Sequence, residues 1–92
     1  METLTGRTAL VTGASRGLGR RIAEALASEQ MDLVLAARSA GPLQELAAAL
    51  EEACGVRATA VSADLTIRGD VEALARTAED EYGGVDVLVN NA

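Results

Sequence analysis

Four short runs of continuous apolar residues, separated by stretches of helical period, limit what this chain can fold into. They are Thr8-Ala9-Leu10-Val11, Leu33 to Ala37, Ala58 to Val61 and Val85 to Val89. Continuous rather than alternating hydrophobicity is what a strand needs when both faces of its sheet are covered. The intervening segments place apolar residues three and four apart: Leu18, Ile22, Ala25 and Leu26, then Leu43, Leu46, Ala47 and Leu50, then Val71, Leu74, Ala75 and Ala78. That spacing predicts three amphipathic helices. Pro42 suits the first turn of the second helix and Gly55 its end, while Thr66 is expected to cap the third and Gly83-Gly84 to stop it. No glycine marks the end of the first helix, which exits through Glu29-Gln30-Met31. The predicted order is β-α-β-α-β-α-β, an α/β class, and each crossover is long enough to return the chain for parallel, right-handed pairing.

The chain has 92 residues, 49% hydrophobic and 24% charged, which predicts one soluble globular unit over residues 1–92 without linker or repeat. A unit of this size buries only about 60–65% of the surface its unfolded chain exposes, so its stability is expected to be marginal. No apolar run approaches the roughly 20 residues of a membrane span. Residues 1–7 lack the basic-then-apolar pattern of a secretory signal, so the expected location is cytoplasmic. Histidine is absent, which removes histidine-dependent triads, zinc sites and general bases. Cys54 is the one cysteine; it is read as a structural thiol on the second helix, and no disulfide or metal site is expected. All eight basic residues are arginine and the net charge is −6, which disfavours a nucleic-acid partner. Any anion bound here must be held by a local feature working against the overall field.

Such a feature follows the first strand. Thr12-Gly13-Ala14-Ser15-Arg16-Gly17-Leu18-Gly19 is a glycine-rich turn opening a helix. Gly13 permits a sharp exit, Gly17 a close approach of backbone to ligand, and Gly19 tight packing of helix on strand. The unpaired amides of a helix start, backed by its dipole, favour a diphosphate. Two further motifs stand at the ends of later strands: Asp64-Leu65 and Asn90-Asn91-Ala92. Together these segments resemble the short-chain dehydrogenase/reductase family, and Leu10 to Gly19 resembles especially its ketoacyl-reductase-like members.

The pattern alone also admits another doubly wound arrangement, such as a flavodoxin-like one. The resemblance implies a partial Rossmann fold: a doubly wound parallel sheet, strand order 3-2-1-4, truncated after strand four. It also implies a dinucleotide cofactor held by Gly13, Ser15, Arg16, Gly17, Leu18, Gly19, Arg38, Asp64, Leu65, Asn91 and Ala92. In the family, the carboxylate of the Asp64 position and the amide after it read the adenine ring. NAD-selective relatives carry an acid at the end of strand two, where this chain has Ala37 followed by Arg38-Ser39. Arg38 and Arg16 are therefore expected to pair with a 2′-phosphate. Charged hydrogen bonds contribute roughly 1.5–3 kcal/mol each, enough to favour NADP(H) over NAD(H) about ten- to a hundredfold.

The family's catalytic asparagine, serine and Tyr-x-x-x-Lys follow an Asn-Asn-Ala-Gly motif, of which this chain shows all but the glycine. Tyr82 is followed four positions later by Asp86 and the chain has no lysine, so Tyr82 is read as a packing residue. Glu51, Glu52, Glu79, Asp80 and Glu81 are read as solvated acids on polar helix faces. No catalytic residue is assigned, and the 92 residues alone are expected to be inactive. The parent protein is expected to be a homo-oligomeric oxidoreductase reducing a carbonyl or oxidising an alcohol by hydride transfer. A non-catalytic nucleotide-binding module and an inert truncated product are the alternatives. Strand four, normally interior, would become an apolar edge prone to self-association.

Overall fold

Alternate residues of a strand face opposite sides of its sheet, and here both sides receive helices. The computed structural model describes residues 4–91. Its elements are β1 (Thr8–Thr12), α1 (Gly17–Ser28), β2 (Asp32–Ala37), α2 (Ala40–Cys54), β3 (Ala58–Ser62), α3 (Arg68–Tyr82) and β4 (Val87–Val89). The sheet is parallel in the order β3-β2-β1-β4, with Leu10 of β1 in register with Val34 of β2 and Leu88 of β4. The fold is thus the expected partial Rossmann arrangement, and the flavodoxin-like alternative is excluded by strand order. No helix among the described residues is long and apolar enough to cross a membrane.

Ala9, Val11, Leu33 and Leu35 pack with residues of α1 and α2 into the larger core, while Val34 and Ala36 pack with Leu74 and Ala78 of α3 on the other side. The predicted stripe of α2, Leu43, Leu46, Ala47 and Leu50, is buried throughout. That of α1 is not. Its buried residues are Gly19, Ala23 and Ala27, while Ile22 and Leu26 are half-buried and Leu18 and Ala25 are exposed. A side chain on Gly19 would collide with the backbone carbonyl of Gly13. The helix lies so near the sheet that small residues, rather than the larger apolar ones, face inward. In α3, Leu74 and Ala78 are buried but Val71 and Ala75 are exposed.

Helix ends follow local chemistry. Gly55 and Gly83 adopt left-handed conformations just past α2 and α3, as glycine there permits. After α1 the left-handed residue is Gln30, with φ 64°, so the turn that sequence marked weakly is made without glycine. Thr66 does not cap α3: Ile67 occupies the cap position without a side-chain bond, and Thr66 instead bonds back to Asp64. β4 begins at Val87 rather than Val85. The reason is Asp86, whose Oδ2 accepts the Thr8 amide at 2.9 Å while its own amide donates to the Thr8 carbonyl at 2.8 Å. A side chain thereby takes the place of a ladder partner. Glu51 is likewise more than a solvated acid, since its Oε2 accepts the amide of Ala58 at 3.1 Å where β3 begins.

Candidate functional site

Parallel strands deliver their carboxyl ends to one rim of the sheet, and there the chain leaves each strand in a loop that need not pack on the core. The four loops enclose a groove of 840 Å³ lined by Gly13, Ser15, Arg16 and Gly17 after β1, Ala36 to Ser39 with Pro42 at β2–α2, Ala63 to Thr66 after β3, and Asn91 after β4. Of the residues expected to hold a cofactor, Gly13, Ser15, Arg16, Gly17, Arg38, Asp64, Leu65 and Asn91 line it together. Gly19 sits behind the groove in the contact between α1 and the β1 turn. Leu18 lies on the first turn of α1, 64% exposed and outside the lining. Ala92 is outside the described residues. Ala36, Ala37, Ser39, Pro42, Ala63 and Thr66 also line the groove, outside the set expected to hold the cofactor; for Thr66 the side chain–backbone turn that Asp-x-Thr can make is the available signal.

The glycines of the turn have different tasks. Gly13, at φ +62°, has no room for a side chain, because a Cβ would stand 2.5 Å from the Asn91 carbonyl oxygen. Gly17 is also left-handed, at φ +61°, but a Cβ there would meet nothing within 4 Å. The space beside it belongs to the groove, so a ligand can approach the bare backbone. Thr12 ties the end of β1 to the segment leaving the edge strand β4: its hydroxyl donates to Asn90 Oδ1 at 3.1 Å and accepts the Asn91 amide at 3.0 Å. The turn is tied to β2 as well, through the Ala14 amide on the Ala36 carbonyl.

Electrostatics at the rim differ from those of the whole chain. The first turn of α1 contains no acid, and its amides have no acceptor within the helix. Arg16 and Arg38 make no ion pair among the described residues, whereas Arg7, Arg20 and Arg68 do. The acid on the lining is Asp64, and the hydroxyl and amide of Thr66, with a smaller contribution from Arg38, hold its carboxyl below the usual aspartate range despite some desolvation. Two free guanidiniums, unpaired amides and a backbone open to close approach fit a dinucleotide with its phosphates.

Residues 7–92 match the family model for short chain dehydrogenases. The chain belongs to that family. Among its relatives, the ketoacyl reductase HetN of a Nostoc species is 47% identical over 92 residues, which is all of this chain and 32% of that protein. The 3-oxoacyl-[acyl-carrier-protein] reductase FabG of Vibrio harveyi is 43% identical over 97% of the chain and 35% of its own length. Among solved structures, an L-sorbose reductase of Gluconobacter frateurii in complex with NADPH and L-sorbose superposes with a TM-score of 0.95 at 40% identity, covering 100% of this chain and 35% of that one. A short chain dehydrogenase/reductase of Burkholderia phymatum in complex with NAD gives 0.89 at 38% identity, over 96% and 31%. The chain therefore spans about a third of the length of these relatives. Both cofactor types occur among the neighbours, so family membership implies a dinucleotide without choosing which.

Tyr82 lies at the other end of the sheet from the groove, near the start of β2. Its hydroxyl is 2.7 Å from Thr59 Oγ1 and 3.2 Å from the Leu33 carbonyl, and Arg57 sits 4.5 Å above its ring. These contacts match the packing role read from its sequence position. Burial raises its pKa, more than the Thr59 hydrogen bond lowers it.

Proposed function

We propose that this chain is the NADP(H)-binding portion of a short-chain dehydrogenase that interconverts a carbonyl and an alcohol, acting in the cytoplasm as a homo-oligomer. The observation carrying the cofactor choice is the end of β2, where Ala37 stands at the position an acid holds in NAD-selective relatives and Arg38, without an ion pair among the described residues, lines the groove together with Arg16. A carboxylate there would repel a 2′-phosphate, and guanidinium groups attract it. Gly13, Ser15, Arg16, Gly17, Leu18 and Gly19 would form the diphosphate turn, Asp64 and Leu65 would face the adenine, and Asn91 and Ala92 would complete the set. When bound, the cofactor supplies the hydride. The residues here bind and orient it. With no lysine in the sequence and its tyrosine engaged in packing, the 92-residue chain is expected to bind without turnover.

Fluorescence titration with NADPH and NADH tests this reading. The chain should bind NADPH about ten- to a hundredfold more tightly, as roughly 1.5–3 kcal/mol of charged hydrogen bonding implies. Arg38→Asp should erase that margin by weakening NADPH selectively. Equal losses for both dinucleotides would remove the assignment of Arg38 to the phosphate.

A further inference from the structure

The loop after β3 contains a set of hydrogen bonds that decides which of its polar groups remain available to a ligand. The Asp64 amide donates to Asp70 Oδ2 at 2.8 Å. Asp64 Oδ1 accepts both the amide of Thr66 at 2.9 Å and its hydroxyl at 2.6 Å. The Asp64 carbonyl accepts the Ile67 amide at 2.9 Å. Two groups have no hydrogen-bond partner among the described residues: Asp64 Oδ2, an acceptor, and the Leu65 amide, a donor. Both residues line the groove. Adenine presents the complementary pair on adjacent atoms, a 6-amino donor and the N1 acceptor, whereas a 6-oxo purine reverses both.

We infer that Asp70 and Thr66 are positioning residues, on which the proposed adenine site depends for its discrimination between 6-amino and 6-oxo purines, because they hold Asp64 and Leu65 as an acceptor–donor pair. The inference rests on the proposed cofactor reading. Asp70 acts from the first turn of α3, anchoring the loop backbone by the amide preceding the one left free. Thr66 occupies one carboxylate oxygen and so presents the other. Asp70 is not part of the groove lining, so its effect on base preference must pass through Asp64.

The test compares NADPH with its hypoxanthine analogue by fluorescence titration of the 92-residue chain. Wild type should favour adenine by about tenfold, the value of one well-made hydrogen-bond discrimination. Thr66→Val and Asp70→Ala should reduce that preference to near unity, by weakening NADPH and sparing the analogue. Thr66→Ser and Asp70→Asn keep the required hydroxyl and acceptor, and should retain the preference. Circular dichroism establishes that each variant is folded. Unchanged preference in folded Thr66→Val and Asp70→Ala, or loss of preference in the two conservative variants, would overturn the positioning role. Equal binding of both analogues by wild type would overturn the base selectivity while leaving the cofactor reading intact. Failure of wild type to bind either dinucleotide would instead remove the cofactor reading and this inference with it.

Discussion

On the side of the sheet covered by α1 and α2, Val11, Met31, Leu33, Leu35 and Leu43 are fully buried; on the side covered by α3, Val71 is 42% and Leu88 64% exposed. The second side holds a smaller buried cluster of Val34, Ala36, Leu74 and Ala78. Beside it runs an apolar trough of 320 Å³, lined among others by Leu10, Leu65, Val71, Ala75 and Leu88. All three helices have apolar stripes in sequence, yet one side is closed and the other is not. A helical stripe reports the capacity to bury a face, and burial requires an opposing element at the right distance. Stability should therefore reside mainly on the α1–α2 side, while the groove, at the rim shared by both sides, depends on backbone shape.

Core truncation gives the largest contrast. Leu33→Ala should cost about 3 kcal/mol in urea unfolding, and Leu88→Ala only about 0.5 kcal/mol or less. Similar losses at the two positions would break the asymmetry. Next come the glycines of the turn. Gly19→Ala places a methyl against the Gly13 carbonyl and should destabilise the chain by about 2 kcal/mol, within the range for overpacked sites. Gly17→Ala meets open space, so it should cost only about 1–2 kcal/mol of left-handed strain while weakening NADPH binding as well. Preserved NADPH affinity in Gly17→Ala would show that no ligand closely approaches that backbone.

Titration sharpens the comparison between the two ends of the sheet. The Tyr82 pKa is raised in the folded chain, so its contribution is fully present below the ordinary tyrosine value of about 10 and is lost as pH rises through the higher folded value. Stability should decline in alkali, with a shallower decline in Tyr82→Phe. Asp64 is shifted the other way. Its contribution is present above the ordinary aspartate value of about 4 and disappears as pH falls through the lower folded value. Thr66→Val should flatten that acid limb, and unfolding curves measured across pH would detect a failure of either sign. The smallest effect expected is on association. Exposed Leu88 on edge strand β4 should give weak, concentration-dependent self-association in sedimentation, reduced by Leu88→Lys; identical behaviour of the two proteins would exonerate that edge.

Much of the groove could be read from residue order because its parts are local. Gly13 and Gly17 are needed for backbone conformations that few other residues adopt, Gly55 and Gly83 end helices for the same reason, and Arg38 follows β2 directly. Leu18 belongs to the apolar period of α1 yet is exposed, since period alone does not reveal that this helix meets the sheet chiefly through glycine and alanine. A hydroxyl before a helix usually serves the helix, but at Thr66 the competing carboxylate of Asp64 two residues earlier takes it instead.

The alternation of strands and helices, the parallel sheet class and the glycine turn were thus determined by the sequence alone, because they depend on backbone preference and on side-chain period over a few residues. Which apolar stripe became buried, where β4 begins, and which groups of the Asp64 loop stay free were decided only in three dimensions. Each depends on partners distant in the chain or on hydrogen bonds competing for one atom, as when Asp86 meets Thr8 across 78 residues, and no local pattern encodes the outcome of that competition.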